Sequence, residues 1–189
     1  MTSLVLASAS PRRRQLLEML GIAVDVRPSQ VEEVRRPGEA PRDYALRLAQ
    51  EKASAVPGDL VLAADTVVVL GEELLEKPAD ADDAVRMLLR LQGRTHQVVT
   101  AIALRAGDTV FEALDVTSVT FRPAREATLR AYVRTGEPLD KAGGYGIQGY
   151  GAALVEGIDG DFFGVMGLPI RLVLDLLAEA GFPYEFPKG

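Results

Sequence analysis

Apolar and polar positions follow two different periods along this 189-residue chain, and the period changes from segment to segment. Short apolar runs near 3–7 and 22–27 read as buried strands. Between them Leu16, Leu17 and Leu20 recur at helical spacing, behind Ser10 as N-cap and Pro11 as the first helical residue. A polar loop runs through Glu32, Glu33, Arg35, Arg36, Pro37 and Gly38. A helix then spans about Pro41 to Ala55, with Tyr44, Ala45, Leu48 and Ala49 on its inner face and Pro57-Gly58 as its stop. The run 60–70 is apolar and rich in β-branched residues, so it reads as a strand. Asp80 caps a helix reaching about Gln92, with Asp82 and Asp83 in the favoured first turn. Segments 95–106 and 109–122 form a hairpin joined by Gly107-Asp108. A helix over about 124–135, a glycine-rich stretch over 143–151, a strand near 152–158 and an apolar helix over about 168–180, stopped by Gly181, complete the pattern. Strands and helices mixed in this way, with a hairpin among them, predict an α/β protein with a mixed β-sheet.

Composition narrows the chemistry. The net charge is -6, from 21 basic and 27 acidic residues, which argues against general binding to nucleic acid or an anionic membrane. A phosphate site in such a chain must be a local basic pocket. There is no cysteine, so disulfides and thiolate metal sites are ruled out, and the lone His96 cannot supply a zinc site or a serine-type triad. The longest apolar segment, Leu60 to Leu70, is too short to span a bilayer and contains Asp65. The N-terminal apolar stretch is short, and its positive charges follow it, unlike a signal peptide. A cytoplasmic protein is the expectation. Arginine greatly outnumbers lysine and asparagine is absent, which suits a thermophile or a GC-rich genome. The four lysines retained, Lys52, Lys77, Lys141 and the tail residue Lys188, are therefore informative. A lysine is a compact point charge suited to a phosphate oxygen or a carboxylate in a tight pocket.

Three positions carry candidate chemistry. Arg12, Arg13 and Arg14 follow Ser8-Ala9-Ser10-Pro11 in a first helical turn, where acidic residues are the usual occupants. Serines and arginines at that place make sense if an anion completes the site, and phosphate is the usual guest; a solvated basic turn is the plain alternative. Asp65 interrupts a buried strand, where an unpaired carboxylate costs several kcal/mol, so a metal ligand or general base is the better reading than a cap. In a regular strand Asp65 and Thr66 face opposite sides, so a site using both requires the strand to end or bulge there. Lys52 shares the apolar face of its helix, either as a functional cation or as a lysine snorkelling from its edge. Gly143 to Gly151 lacks the lysine-serine ending of a P-loop and the strand-then-helix setting of a dinucleotide loop. It reads as backbone packing closely against a ligand or a neighbouring strand.

Taken in order, eight motifs resemble the Maf (septum-formation inhibitor) family of nucleoside triphosphate pyrophosphatases. They are Ser-Ala-Ser-Pro-Arg-Arg at 8–13, Glu-Lys-Ala at 51–53, Ala-Ala-Asp-Thr-Val-Val at 63–68, Glu-Lys-Pro at 76–78, Gly-Arg-Thr-His-Gln-Val at 93–98, Glu-Pro-Leu-Asp-Lys-Ala-Gly at 137–143, Gly-Ile-Gln-Gly at 146–149 and Gly-Leu-Pro at 167–169. The resemblance covers almost the whole chain, and the ordered set is far more specific than any one motif. One departure is Phe162-Phe163-Gly164-Val165-Met166, where the family often has tyrosine and valine; no catalytic position is affected.

The resemblance implies a single domain over 1–189 with a long mixed sheet and flanking helices. Two lobes without a separable linker would form a nucleotide cleft, similar to the inosine triphosphate pyrophosphatases. It implies hydrolysis of a nucleoside triphosphate to the monophosphate and pyrophosphate, dependent on a divalent cation such as Mg2+ or Mn2+. By the same carry-over Asp65 accepts the proton of the attacking water. Ser8, Arg13, Lys52 and Lys77 hold phosphates, Glu33 and Asp65 contribute to the metal site, and Arg12, Thr66 and Gln148 match the specificity positions of the dTTP/UTP branch. The family also suggests a homodimer and removal of non-standard nucleotides. Two rival readings remain at this level: a regulator of cell division that binds nucleotide without turnover, and a non-specific phosphatase. A carboxylate in a buried strand separates the first rival from an enzyme, since pure anion binding has no use for it.

Overall fold

The computed structural model describes residues 3–187; Lys188, expected to belong to the tail, lies outside the described residues. Strands β1 (Leu4–Leu6), β2 (Val24–Val26), β3 (Leu60–Leu70), β4 (Glu73–Leu75), β5 (Thr95–Ala106), β6 (Thr109–Phe121) and β7 (Val155–Asp159) form a sheet in the order β2-β1-β3-β5-β6-β7, with β4 paired to β3. β1 runs parallel to both β2 and β3, whereas β4 pairs antiparallel with β3 and β7 antiparallel with β6, so the sheet is mixed as expected. The helices are α1 (Pro11–Met19), α2 (Pro41–Ala55), α3 (Ala81–Leu91), α4 (Glu126–Val133), α5 (Phe162–Met166) and α6 (Ile170–Glu179).

The described chain packs as two compact units, neither continuous in sequence. One takes the chain up to Asp65, Thr100–Asp115 and everything from Gly167; the other takes Thr66–Val99 and Val116–Met166. In the first unit β1 and the start of β3 are buried throughout, as parallel strands covered on both faces must be. Leu16 and Leu17 of α1 and Leu48 of α2 are buried with them, while Leu20 is only half-buried. β2 ends the sheet order, and its Asp25 pairs with Arg27 just past its end, charges that discourage another strand from adding there. In the second unit Asp80 caps α3 through its side chain, which accepts from the Asp83 amide at 2.7 Å. β3 does not end at Asp65: the strand runs on through Asp65, which is buried, and Thr66, which is half-buried.

Four differences from the sequence reading have local causes. β4 was not expected because three residues are too few to display a period. The strand read from 152 begins at Val155, since Tyr150–Leu154 closes into a 3-10 turn instead. Helix α5 was not expected, whereas the helix read over about 168–180 is α6, which starts at Ile170 behind Gly167 with φ +107 and Pro169 at the N-cap position. Ser10 stands at the N-cap of α1 with extended backbone but makes no side-chain cap. The stop at Gly181 is as expected: its φ of +87 lets its own amide and that of Phe182 return to the carbonyls of Ala178 and Leu177.

His96 lies at the heart of the second unit, 2% exposed. Its Nε2 is 2.8 Å from the Tyr145 hydroxyl, and its ring meets Phe121 and Tyr145 edge-on. Nδ1 finds no hydrogen-bond partner among the described residues. Burial pushes the imidazole from an ordinary 6.5 down to about 4. The unfolded chain therefore binds a proton that the folded chain refuses between those values. This contribution to stability is complete above pH 6.5 and is lost as the pH falls towards 4, to the extent of about 3 kcal/mol. The urea midpoint is expected to fall across that window, and to fall less steeply in His96→Phe; identical slopes for the two proteins would refute the assignment.

Candidate active site

The first unit gathers six of the positions singled out in the sequence. After β1 the backbone stays paired through the Ala7 amide to the Leu62 carbonyl, at 2.8 Å, which delivers Ser8 into a buried position. The Ser8 hydroxyl accepts from the Ser10 amide at 3.2 Å and from Arg13 Nη1 at 3.1 Å. Ser8, rather than Ser10, thus organises the entry to α1. Arg13 is anchored a second time, its Nε donating to the Gly167 carbonyl at 2.8 Å. Its guanidinium is turned inward. Burial lowers its pKa, the charge of Asp65 opposes that shift, Arg12 adds to it and Glu33 opposes it. Arg14 points the other way and pairs with Glu18 in the open at 3.2 Å.

Lys52 does not snorkel. It is 6% exposed on the apolar face of α2, and its ammonium donates to Asp65 Oδ1 at 2.6 Å and to Glu33 Oε1 at 2.7 Å. Asp65 is also 6% exposed, so its charge, costly in a buried strand, is compensated by an ammonium at contact distance. Glu33 sits on a loop with its side chain 43% exposed and reaches inward to the same nitrogen. Two carboxylates therefore converge on one buried cation, and Arg13 lies close enough to sense both. A carboxylate held this way can accept a proton from water, and the surrounding cations suit a substrate carrying several negative charges.

The loop that carries Glu33 is fixed to α2 by residues that no sequence motif singled out. Arg47 donates through Nε and Nη2 to the two oxygens of Glu39, at 2.6 and 2.7 Å, and through Nη2 to the Val34 carbonyl at 3.0 Å. The hydrogen bonds from Arg47 hold the Glu39 carboxyl down at about 2 despite its desolvation. Arg47 Nη1 reaches Glu51 as well. This bidentate clamp lies one residue from Glu33 in the chain and five residues from Lys52 on α2. Its only trace in the sequence is an arginine on the edge of the apolar stripe.

Thr66, Lys77 and Gln148 belong to the second unit. Thr66 follows Asp65 on β3 and is half-buried, Lys77 is exposed in the segment between β4 and α3, and Gln148 is exposed in the glycine-rich stretch. At Gly143 that stretch does pack against a neighbouring strand: with φ +69, a Cβ there would lie 3.0 Å from the methyl groups of Val68 on β3. Elsewhere it closes around Glu137, a residue quoted within a motif but given no role by the sequence reading. Lys141 is likewise structural, donating to the Glu137 carbonyl and to Asp140, each at 2.6 Å.

Comparison with known proteins identifies the family of the chain. The Maf-like protein family model matches residues 3–180. A dTTP/UTP pyrophosphatase of Anaeromyxobacter dehalogenans strain 2CP-1 is 55% identical over 189 residues, covering 98% of this chain and 97% of its own length. One from Escherichia coli O6:K15:H31 is 49% identical over 184 residues, covering 95% of this chain and 93% of its own. Among solved structures, a HAM1 protein from Coxiella burnetii matches with a TM-score of 0.53 and 16% identity over 95% of this chain and 100% of its own. The Staphylococcus aureus Ham1 protein gives 0.53 and 17% over 94% and 98%. At such identities the structural likeness speaks to the fold alone, which is the one the sequence resemblance implied. With the family model spanning nearly every described residue and half of all positions shared with these relatives, the chain belongs to the Maf family.

Proposed function

We propose that this chain hydrolyses dTTP and UTP to the nucleoside monophosphate and pyrophosphate, as a cytoplasmic, homodimeric enzyme that cleans nucleotide pools. The activity of its relatives supports the substrate, and the observation that carries the chemistry is the buried Lys52–Asp65 pair, with Glu33 on the same ammonium and Arg13 beside it. No helix among the described residues is long and apolar enough to cross a membrane.

In this reading a water molecule attacks phosphorus, its proton passes to the Asp65 carboxylate, and the anhydride bond between the α and β phosphates breaks with pyrophosphate leaving. Ser8, Arg13, Lys52 and Lys77 hold the phosphate oxygens, while Arg12, Thr66 and Gln148 recognise the rest of the nucleotide. Little covalent chemistry is asked of the protein; positioning and spread positive charge carry the rate. Glu33 and Asp65, whose carboxylates converge on one point, would hold a Mg2+ or Mn2+ ion. Such an ion is commonly held by one or two carboxylates together with substrate phosphates, and no larger group of three His, Asp or Glu ligands gathers among the described residues. A bound cation would neutralise developing charge on the phosphate oxygens.

Product analysis with a panel of nucleoside triphosphates, with Mg2+ and with Mn2+, tests the reading. Monophosphate and pyrophosphate should appear in equal amounts, fastest from UTP and dTTP. Orthophosphate as the product would reject the cleavage position, release of p-nitrophenol from p-nitrophenyl phosphate would point to a general phosphatase, and no turnover of any nucleotide would favour a binding protein.

A further inference from the structure

The glycine-rich stretch has the look of an anion-binding nest, yet the chain fills that nest itself. Glu137 Oε1 accepts from the Gly151 amide at 2.9 Å and from the Tyr132 hydroxyl at 2.8 Å, and Oε2 accepts from the Tyr150 amide at 2.9 Å. The Tyr132 oxygen in turn accepts from the Gly146 amide at 3.1 Å. Glycine is what permits so close a wrap. A Cβ at Gly149 would lie 2.5 Å from Glu137 Oε2, one at Gly146 would lie 2.9 Å from Lys141 Cε, and one at Gly151 would run into the Gly146 carbonyl. Burial opposes charge on Glu137, but the amides of Gly151 and Tyr150, the Tyr132 hydroxyl and the Lys141 ammonium outweigh it and hold the carboxyl below its ordinary value. The Tyr132 hydroxyl is pushed up, by burial first and by Glu137 as well, so it stays a donor. Gln148 is the exposed side chain between these tethers, with the Gly146 amide held on one side and the Tyr150 and Gly151 amides on the other.

We propose that Glu137 is a positioning residue for nucleobase selection: with Tyr132 it fixes the backbone on both sides of Gln148, so that the Gln148 amide presents its donor and acceptor to a pyrimidine base in one orientation. This rests on the reading of the chain as a dTTP/UTP pyrophosphatase in which Gln148 meets the base. A loop without the tethers loses the orientation, and with it the advantage of uracil or thymine over other bases, while the phosphate chemistry continues. A merely structural Glu137 would instead depress all nucleotides alike.

The test compares kcat and KM for UTP and GTP in the wild type, Gln148→Glu, Glu137→Gln, Glu137→Asp and Tyr132→Phe, with the thermal midpoint of each. Glu137→Gln keeps the volume but sets an amide against the loop N–H groups. It is expected to lower kcat/KM for UTP on the order of tenfold, mainly through KM, and that for GTP by less than about threefold. Tyr132→Phe should shift the UTP:GTP ratio the same way by a smaller factor, and Glu137→Asp should regain part of it. If Glu137→Gln fails to fold, Tyr132→Phe carries the comparison. Absence of UTP turnover in the wild type would remove the underlying function, and an unchanged ratio in Gln148→Glu would remove the role of Gln148. A shifted ratio in Gln148→Glu with an unchanged ratio in the Glu137 and Tyr132 variants would overturn the role of Glu137 alone.

Discussion

Asp65→Asn is expected to lower kcat for UTP on the order of a hundredfold or more, with KM and the thermal midpoint changing little. The substitution keeps the volume of the side chain and its ability to accept from Lys52, but an amide cannot take a proton from water. Because the group acts in the transition state, the loss should fall on kcat rather than on KM. The fold should survive because one buried charge disappears while the Lys52 ammonium keeps Glu33, at 2.7 Å, as a partner. Steady-state kinetics and a thermal melt decide the matter. Near-wild-type kcat in a folded Asp65→Asn protein would exclude Asp65 as the base, and an unfolded one would mean that the carboxylate is there for packing.

Lys52→Met carries the largest expected effect on stability. Methionine keeps most of the buried volume of the lysine stem on α2, but it leaves Asp65, 6% exposed, facing Glu33 without the ammonium between them. Removing one partner of a buried ion pair typically costs about 3–5 kcal/mol. In a chain of this size that corresponds to a fall of roughly 10 °C in the thermal midpoint. An open pair such as Arg14–Glu18, with both side chains about half exposed, would change the midpoint by a small fraction of this. The double variant Lys52→Met/Asp65→Asn should regain much of the lost stability, because the stranded charge is gone; a double-mutant cycle measures that coupling. Equal midpoints for wild type and Lys52→Met would mean that the ammonium and the carboxylates do not depend on one another. Activity should fall in Lys52→Met as well, without returning in the double variant.

Much of the architecture was legible from local rules. The bounds of α2 and β3, the Asp80 cap of α3, the Gly107-Asp108 hairpin and the Gly181 stop each depend on residues within about four positions of one another. Periodicity, capping and the left-handed conformation of glycine act at that range, so the sequence displays them directly. The three-residue β4 and the five-residue α5 were not legible, since both are too short to display a period. The Ser10 cap misled for another reason. The residue is of the right type in the right place, but the Ser8 hydroxyl, brought in by the pairing of Ala7 with Leu62, takes the Ser10 amide and Arg13.

The candidate site divides along the same line. Asp65 stood out because a carboxylate in an apolar strand violates a local expectation, and Lys52 because lysine is rare here and this one shares a face with Tyr44, Leu48 and Ala49. The sequence by itself therefore determined most of the elements, the placement of the charges along them and, through eight ordered motifs, the family. It did not determine which charges meet. That Lys52 ends on Asp65 and Glu33, that Arg13 reaches the Gly167 carbonyl 154 residues away, and that the glycine-rich stretch is filled by Glu137 were decided only by the tertiary structure. The physical reason is range. A cap or a period is a property of neighbours along the chain, whereas a buried charge takes its partner from whatever packing places within 3 Å of it, and that depends on the closure of loops that carry no local signal.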